Sequence, residues 1–439
     1  MPTESVKPDR IWSLAPEHEI VLKQTWAIIL KHFGYDLDNL SFHDLELKSN
    51  FVASKSKNAL PIIPKTSDPG DVPEPSKRTV ETYHSLSGKT ADELTGEFDK
   101  SAKAVSKEHY HHFSKFDDVE MHQAFFSSVR NDSPDNDLLR FVRARKFKVH
   151  HIVEMAAKCW EWRATTHNVN KWFYEGDAQV FFSGKKPEFI KAFELEKAYM
   201  RGEDYSGGPV AVIRVKKHFG HDCPEKDFER FICVFIEWSR LRMRNYEIGN
   251  DGANILFDMT GFSLKNADMN AVKFLVKQFE ANYPESLNAI WVHKAPWIFN
   301  AVWKIIKGWL DPVVASKIHF TKSAQDLEKF LDKKYIPKNL GGSDSYEPKY
   351  VPPTKENSST RPKDDTYVKL MEQRKKLMLS FIETTILWIQ AKTTEESTKY
   401  LDSKIDLGAK LGLNYKALDP YVRYRGAFDR DGSLGEIGI

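Results

Sequence analysis

The residues of this 439-residue chain that could do chemistry fall into a few dense groups, and the densest is basic. Arg140, Arg143, Arg145, Lys146 and Lys148 lie within nine positions, a spacing suited to phosphate on a nucleic acid, a membrane surface or a small ligand. No aromatic platform accompanies the run and the net charge is only +3, so nucleic acid is not an expected partner. His109, His111 and His112 form a cluster, yet histidines so close in sequence do not share a helix face, and no metal is expected there. His218, His221 and Cys223 fall in a predicted loop without a second ligand group at zinc spacing. Asp258 closes a predicted strand, where open sheets often place a catalytic acid. With no base or nucleophile near it in sequence, it reads as a turn former. The chain carries no G-x-G-x-x-G after a strand, no P-loop and no G-x-S-x-G elbow. A non-enzymatic protein without metal or cofactor is expected.

The elements that must position these groups follow from periodicity. Pro16–Phe33 carries Leu22, Trp26, Ile29, Leu30 and Phe33 on one helical face and should dock on the body of the protein. Lys48–Ser101 reads as a mostly flexible linker. Ser133-Pro134-Asp135 opens a helix with Leu138, Leu139 and Val142 inward, and Val149, Ile152, Val153, Ala156, Ala157 and Trp160 form a second stripe, predicting a helical hairpin. From Phe189 strands alternate with helices: Val210–Val215, Asn254–Met259, Ala289–His293 and Lys317–Phe320 are strands, which implies an α/β unit with a mostly parallel sheet. Ser343–Asp365 reads as a linker, Thr366–Ile389 and Glu395–Leu411 as helices, and Asp429–Ile439 as a frayed end. Three cysteines without a CxxC pair fit a reducing compartment, and no run of eighteen apolar residues occurs. The expectation is a cytoplasmic protein whose membrane contacts are peripheral.

One helix is apolar on too many sides. Within Pro296–Leu310, Ile298, Val302, Ile305 and Trp309 form one stripe, and Phe299, Trp303, Ile306 and Leu310 an adjacent one. Its fifteen residues are fewer than the about twenty needed to cross a bilayer. Such a helix is either deep core or touches something apolar that is not always protein; periodicity alone favours the core.

DLLRFVRARKF (Asp137–Phe147), NYPESL (Asn282–Leu287), HKAPWIFNAVWKIIKGWLDP (His293–Pro312), SKIHF (Ser316–Phe320) and Leu340-Gly341-Gly342 occur in that order. Together they resemble the CRAL-TRIO lipid-transfer family, and within it the fungal phosphatidylinositol transfer proteins with long N- and C-terminal extensions. The resemblance implies an α/β CRAL-TRIO fold, a mixed and mostly parallel sheet flooring an apolar lipid pocket with a gating helix, preceded by an all-helical N-terminal subdomain. The expected division is 1–107 as an N-terminal extension, 108–176 as the helical subdomain, 177–345 as the lipid-binding domain, and 346–439 as linker and helical extension. The gate corresponds to 296–310, with Ile298, Phe299, Val302, Trp303, Ile306 and Leu310 against the lipid. Residue by residue, Glu285 matches the acid that binds inositol hydroxyls, and Lys317 matches the lysine that pairs with the phosphodiester. Arg145 and Lys146 match a basic pair facing the headgroup; Asp311 ends the gate helix and is a further candidate inositol contact, with helix termination alone as the alternative. Two departures stand out: Val314 replaces a threonine, and Ala253 and Ile255 replace the Ser and Thr of phosphatidylcholine-binding members. The implied function is phosphatidylinositol binding and transfer between membranes without phosphatidylcholine exchange, the second pocket ligand being a sterol or isoprenoid. The alternative is a lipid-sensing regulator that presents lipid to a lipid-metabolising enzyme. The implied setting is the cytoplasm, with peripheral association to endomembranes, endosomes or lipid droplets.

Overall fold

The computed structural model describes residues 7–35, 37, 118–243 and 249–438. The expected linker Lys48–Ser101 and the histidines at 109–112 lie outside the described residues. The chain folds into two compact units that alternate along it: one combines residues up to Asn170 with Pro362–Asp419, the other Lys171–Arg361 with Pro420–Gly438.

The first unit is helical. The helix Pro16–His32 docks by the predicted face, with Leu22, Trp26, Ile29 and Leu30 fully buried. Pro134–Ala144 is capped by the Ser133 side chain, which accepts from the Asp135 N–H, and pairs with Val149–Glu161 as the predicted hairpin. Arg140 is structural: it is buried and pairs with Asp132 at 2.6 Å. Arg143 donates to the Asp9 carbonyl at 3.0 Å. Two long helices, Asp365–Gln390 and Thr394–Val422, complete the unit. They meet the others at a buried polar cluster. Trp26 donates to Asp135 at 2.7 Å, Trp388 to Glu19 at 2.9 Å, and Lys404 pairs with Asp135 at 2.9 Å. The Lys404 ammonium stands 4.0 Å from the Trp388 ring centroid. Burial lowers its pKa, while Asp135 and Glu19 act in the opposite direction.

The second unit holds a five-stranded sheet in sequence order: β1 (Ala198–Glu203), β2 (Pro209–Arg214), β3 (Ala253–Asp258), β4 (Leu287–His293) and β5 (Ile318–Thr321). β2 to β5 run parallel and β1 is antiparallel to β2. The edge strand β1 escapes sequence reading because AYMRGE mixes a glycine and charges into a short run of weak strand propensity. The crossovers are α1 (Glu225–Arg240), α2 (Met269–Ala281), α3 (Phe299–Lys307) and the short α4 (Pro312–Ser316). Asp258 is a turn former, its carboxylate accepting from the Thr260 N–H at 2.9 Å.

Two expectations need correction. The apolar helix spans Phe299–Lys307 rather than Pro296–Leu310. Pro296–Ile298 enter it through i→i+3 turns, and Gly308 and Trp309 leave it the same way, donating to the carbonyls of Ile305 and Ile306. Glycine at its end and Pro312 just beyond remove the propensity to continue. The C-terminal stretch is packed, not frayed. Phe428 packs on Phe235 and Trp238, and Arg430 pairs with buried Asp177 at 2.5 Å. At Gly426 a Cβ would lie 2.0 Å from the Trp238 ring, so only glycine allows this approach.

Because Lys404 and Asp135 are both fully buried, removing the cation leaves an uncompensated carboxylate. Lys404→Ala should cost about 3–5 kcal/mol, read as an earlier denaturant midpoint by tryptophan fluorescence, since Trp26 and Trp388 flank the amine.

Candidate functional site

The parallel strands follow one another in order, so their right-handed crossovers fall on one face of the sheet. On that face α3 packs on β4 and β5, through Phe299 and Val302 at Val292 and Trp303 at Phe320, while a cavity separates the rest of the sheet from the helices. Alternate strand residues (Ala211 and Ile213, Ala253, Ile255 and Phe257, Ile290 and Val292) line one wall of a cavity. The apolar faces of α1, α2 and α3 line the other. The space between them, open solvent at its mouth included, is about 1790 Å³. Exposure tells the same story: Val272, Leu275, Val276 and Phe279 on α2 face inward yet are only half-buried.

The segment expected to act as a gate, 296–310, forms part of this wall. Phe299, Val302, Trp303, Ile306 and Leu310 all line the cavity. Ile298 does not, but packs on the adjoining cluster of Met259, Phe262, Val292, Phe299 and Val302. The two-stripe division is thereby redrawn: Val302 joins the cavity face, while Ile305 is 53% and Trp297 83% exposed on the outside. Ala253 and Ile255 both border the cavity, where neither can donate a hydrogen bond.

The N-terminal edge of the strands carries the predicted ionic residues. Glu285 stands in the turn before β4 and Lys317 just before β5, and their side chains meet at 3.8 Å. Both stay partly open to solvent, at 29% and 23%. Glu285 has φ +52, a left-handed conformation that costs a non-glycine residue energy and often marks a functional turn. That turn is held by Ser286, whose hydroxyl donates to the Tyr283 carbonyl at 2.6 Å. Ser286, Leu287, Val314 and Ile318 border the cavity beside the pair. Val314 indeed brings no hydroxyl to this edge. Asp311 has a structural task, capping α4 by accepting from the Val313 N–H at 2.8 Å. Arg145 and Lys146 belong to the first unit, where Arg145 is half-buried and Lys146 exposed with φ +50. Arg240 also borders the cavity and was missed. The available signal was its place one helical turn after Ile236, on the face α1 turns inward.

At the opposite edge the gate segment leaves the sheet at His293. This side chain is fully buried, its Nδ1 2.9 Å from the Thr321 hydroxyl. Burial, aided by the Lys294 charge, lowers its pKa to about 4.

Comparisons with known proteins agree with this architecture. The family model for the CRAL/TRIO domain matches residues 193–342, and that for the CRAL/TRIO N-terminal domain matches 105–157. "Phosphatidylinositol transfer protein CSR1" of Eremothecium gossypii is 35% identical over 98% of this chain and 99% of its own length. "CRAL-TRIO domain-containing protein C3H8.02" of Schizosaccharomyces pombe is 31% identical over 97% of this chain and 92% of its own. The "Sec14 cytosolic factor" of the same yeast is 27% identical over 48% of this chain and 74% of its own. The chain belongs to the CRAL-TRIO family.

His293 sets a pH dependence at the root of the gate. Its folded pKa, about 4, lies below the ordinary 6.5. Between those values the unfolded chain binds the extra proton, so stability falls as pH drops from 6.5 towards 4, by about 3 kcal/mol in full. Denaturation at pH 7 and pH 4.5 should show this loss, and His293→Asn should show less of it.

Proposed function

We propose that the protein binds phosphatidylinositol and carries it between membranes without altering it chemically. The observation that supports this reading is an apolar cavity bordered by Ser286, Leu287, Val314 and Ile318, sequence neighbours of the Glu285–Lys317 pair. A diacyl lipid divides into the same two parts. Its chains need shelter, because exposing them to water costs about 0.8 kcal/mol per CH₂. Its headgroup needs a cation for the phosphodiester and oriented acceptors for the inositol hydroxyls, which Lys317 and Glu285 supply. Asp311 is proposed as a further acceptor for the headgroup.

Lipid entry requires the wall to open. The segment around α3 is the natural gate, because its outer side carries Trp297 and Ile305 beside Lys304 and Lys307. Aromatic and aliphatic groups among lysines suit the headgroup level of an anionic bilayer. There the departing chains pass into lipid rather than water. The protein is thus expected to act in the cytoplasm with transient membrane contact; no helix among the described residues is long and apolar enough to cross a membrane. A choline lipid fits less well, since Ala253 and Ile255 offer its phosphate no hydroxyl.

Transfer of labelled phosphatidylinositol between liposomes tests the assignment. Each of Lys317→Ala and Glu285→Ala removes a charge-assisted contact of about 1.5–3 kcal/mol, so transfer should fall at least about tenfold. Equal transfer by both variants and the wild type would sink the site. Trp297→Ala should weaken vesicle binding while leaving the amount of bound phosphatidylinositol unchanged.

A further inference from the structure

The first unit holds a group of metal-ligating side chains that the lipid site does not use. His150, His151 and Glu154 lie in the first two turns of the helix Val149–Glu161. One ligand atom from each, two imidazole nitrogens and a carboxylate oxygen, stand within 4.8 Å of one another. Among the described residues no other three His, Cys, Asp or Glu side chains come so close. The group around His218 is instead committed to hydrogen bonds. Its Nδ1 meets the Lys197 ammonium at 2.9 Å and its Nε2 meets Asp268 at 3.1 Å, which leaves neither ring nitrogen for a metal.

Helix geometry explains the convergence. Successive residues turn by about 100°, so two adjacent histidines diverge. Glu154 stands one turn on, about 40° round from His150 and about 60° from His151, and projects between them. Helical side chains lean towards the N-terminus, which brings the carboxylate back over the turn that carries the imidazoles. His150 and Glu154 are half-buried and His151 is exposed, so all three can adjust while one side of the group stays open. Zinc holds such donors at about 2.0–2.2 Å. Small side-chain rotations suffice to reach that from the present spacing.

Two features oppose a cation, and neither prevails. Lys158 pairs with Glu154 Oε1 at 2.5 Å, but an exposed pair of this kind contributes little and the carboxylate has a second oxygen. Lys146 and Lys148 are exposed near the helix start, where the dipole is also positive. Those charges act through solvent and are screened, whereas metal–ligand bonds are direct. The donor set then selects the ion. Calcium and magnesium take about six or more oxygens, and here one side chain offers oxygen. Imidazole suits zinc, copper and nickel. The helix start has no side-chain cap, so an ion joining its first two turns would also order it.

We propose that His150, His151 and Glu154 form a binding site for a divalent transition metal ion of the zinc class, with water as the fourth ligand. The site shares no residue with the lipid cavity, and the proposal is independent of which lipid the chain carries.

The test uses the full chain, prepared without a metal-binding tag and stripped with a chelator. Zinc is titrated by calorimetry, and cobalt by its visible absorption, which intensifies in a tetrahedral site. One zinc per chain should bind with a Kd of about 10 µM or tighter, and a large excess of calcium or magnesium should not displace it. His150→Gln, His151→Gln and Glu154→Gln should each weaken binding at least about tenfold. Lys158→Met should leave it unchanged or tighten it, because it frees the carboxylate. Saturating zinc should raise the melting temperature of the wild type but not of the variant carrying both histidine changes. Circular dichroism of each variant without metal confirms that the helix is intact. A wild type with no site that tight overturns the proposal. So does a tight site that persists when both histidines are changed, the mark of adventitious binding elsewhere among the chain's 15 histidines and 3 cysteines.

Discussion

An apolar sheet face and three apolar helix faces look at one another across a gap that protein atoms do not fill. In an ordinary α/β unit those faces interlock, and burying them supplies most of the stability. Here Ile290, Leu275, Val276 and Ile306 remain half-buried where they border the cavity. The rest of the second unit accommodates that constraint. The strands keep their ladder and the sheet closes its edge with the antiparallel β1. The remaining wall is a nine-residue helix with 3₁₀ turns at both ends, the kind of short element that can move without unravelling the sheet.

Charge is confined to the ends of this cavity. At the N-terminal strand edge Glu285 and Lys317 stay partly hydrated, which keeps their desolvation cost low. At the other edge His293, Lys197, His218 and Asp268 are buried or nearly so and held by hydrogen bonds. The long middle is apolar throughout.

Much of the fold could be read from the sequence, and for physical reasons. β2 to β4 are short, mostly apolar runs bounded by turns, and the docking face of Pro16–His32 is strictly periodic, so local pattern and tertiary role coincide. Pattern failed where local signals are weak or where partners are distant. The edge strand β1 has no apolar run. The C-terminal stretch reads as Gly-rich, yet Arg430 finds Asp177 across some 250 residues of chain, a pairing no local window contains. Residue patterning alone showed the 296–310 segment only as a surplus of apolar positions, and the reading of it as a gate comes from the family resemblance. The roles expected of Glu285 and Lys317 likewise come from the resemblance; what the structure adds is that they meet. His218 was weighed in the sequence as a metal ligand and set aside. Its partners, Lys197 and Asp268, come from opposite ends of a long stretch of chain and converge only in the fold.

The account stands or falls on what occupies the cavity. Mass spectrometry of lipids extracted from full-length protein purified from cells is the most direct measurement. The account predicts phosphatidylinositol as the retained phospholipid, approaching one per protein, without stoichiometric phosphatidylcholine. Recovery of phosphatidylcholine at that level, or of protein carrying no lipid at all, would contradict it.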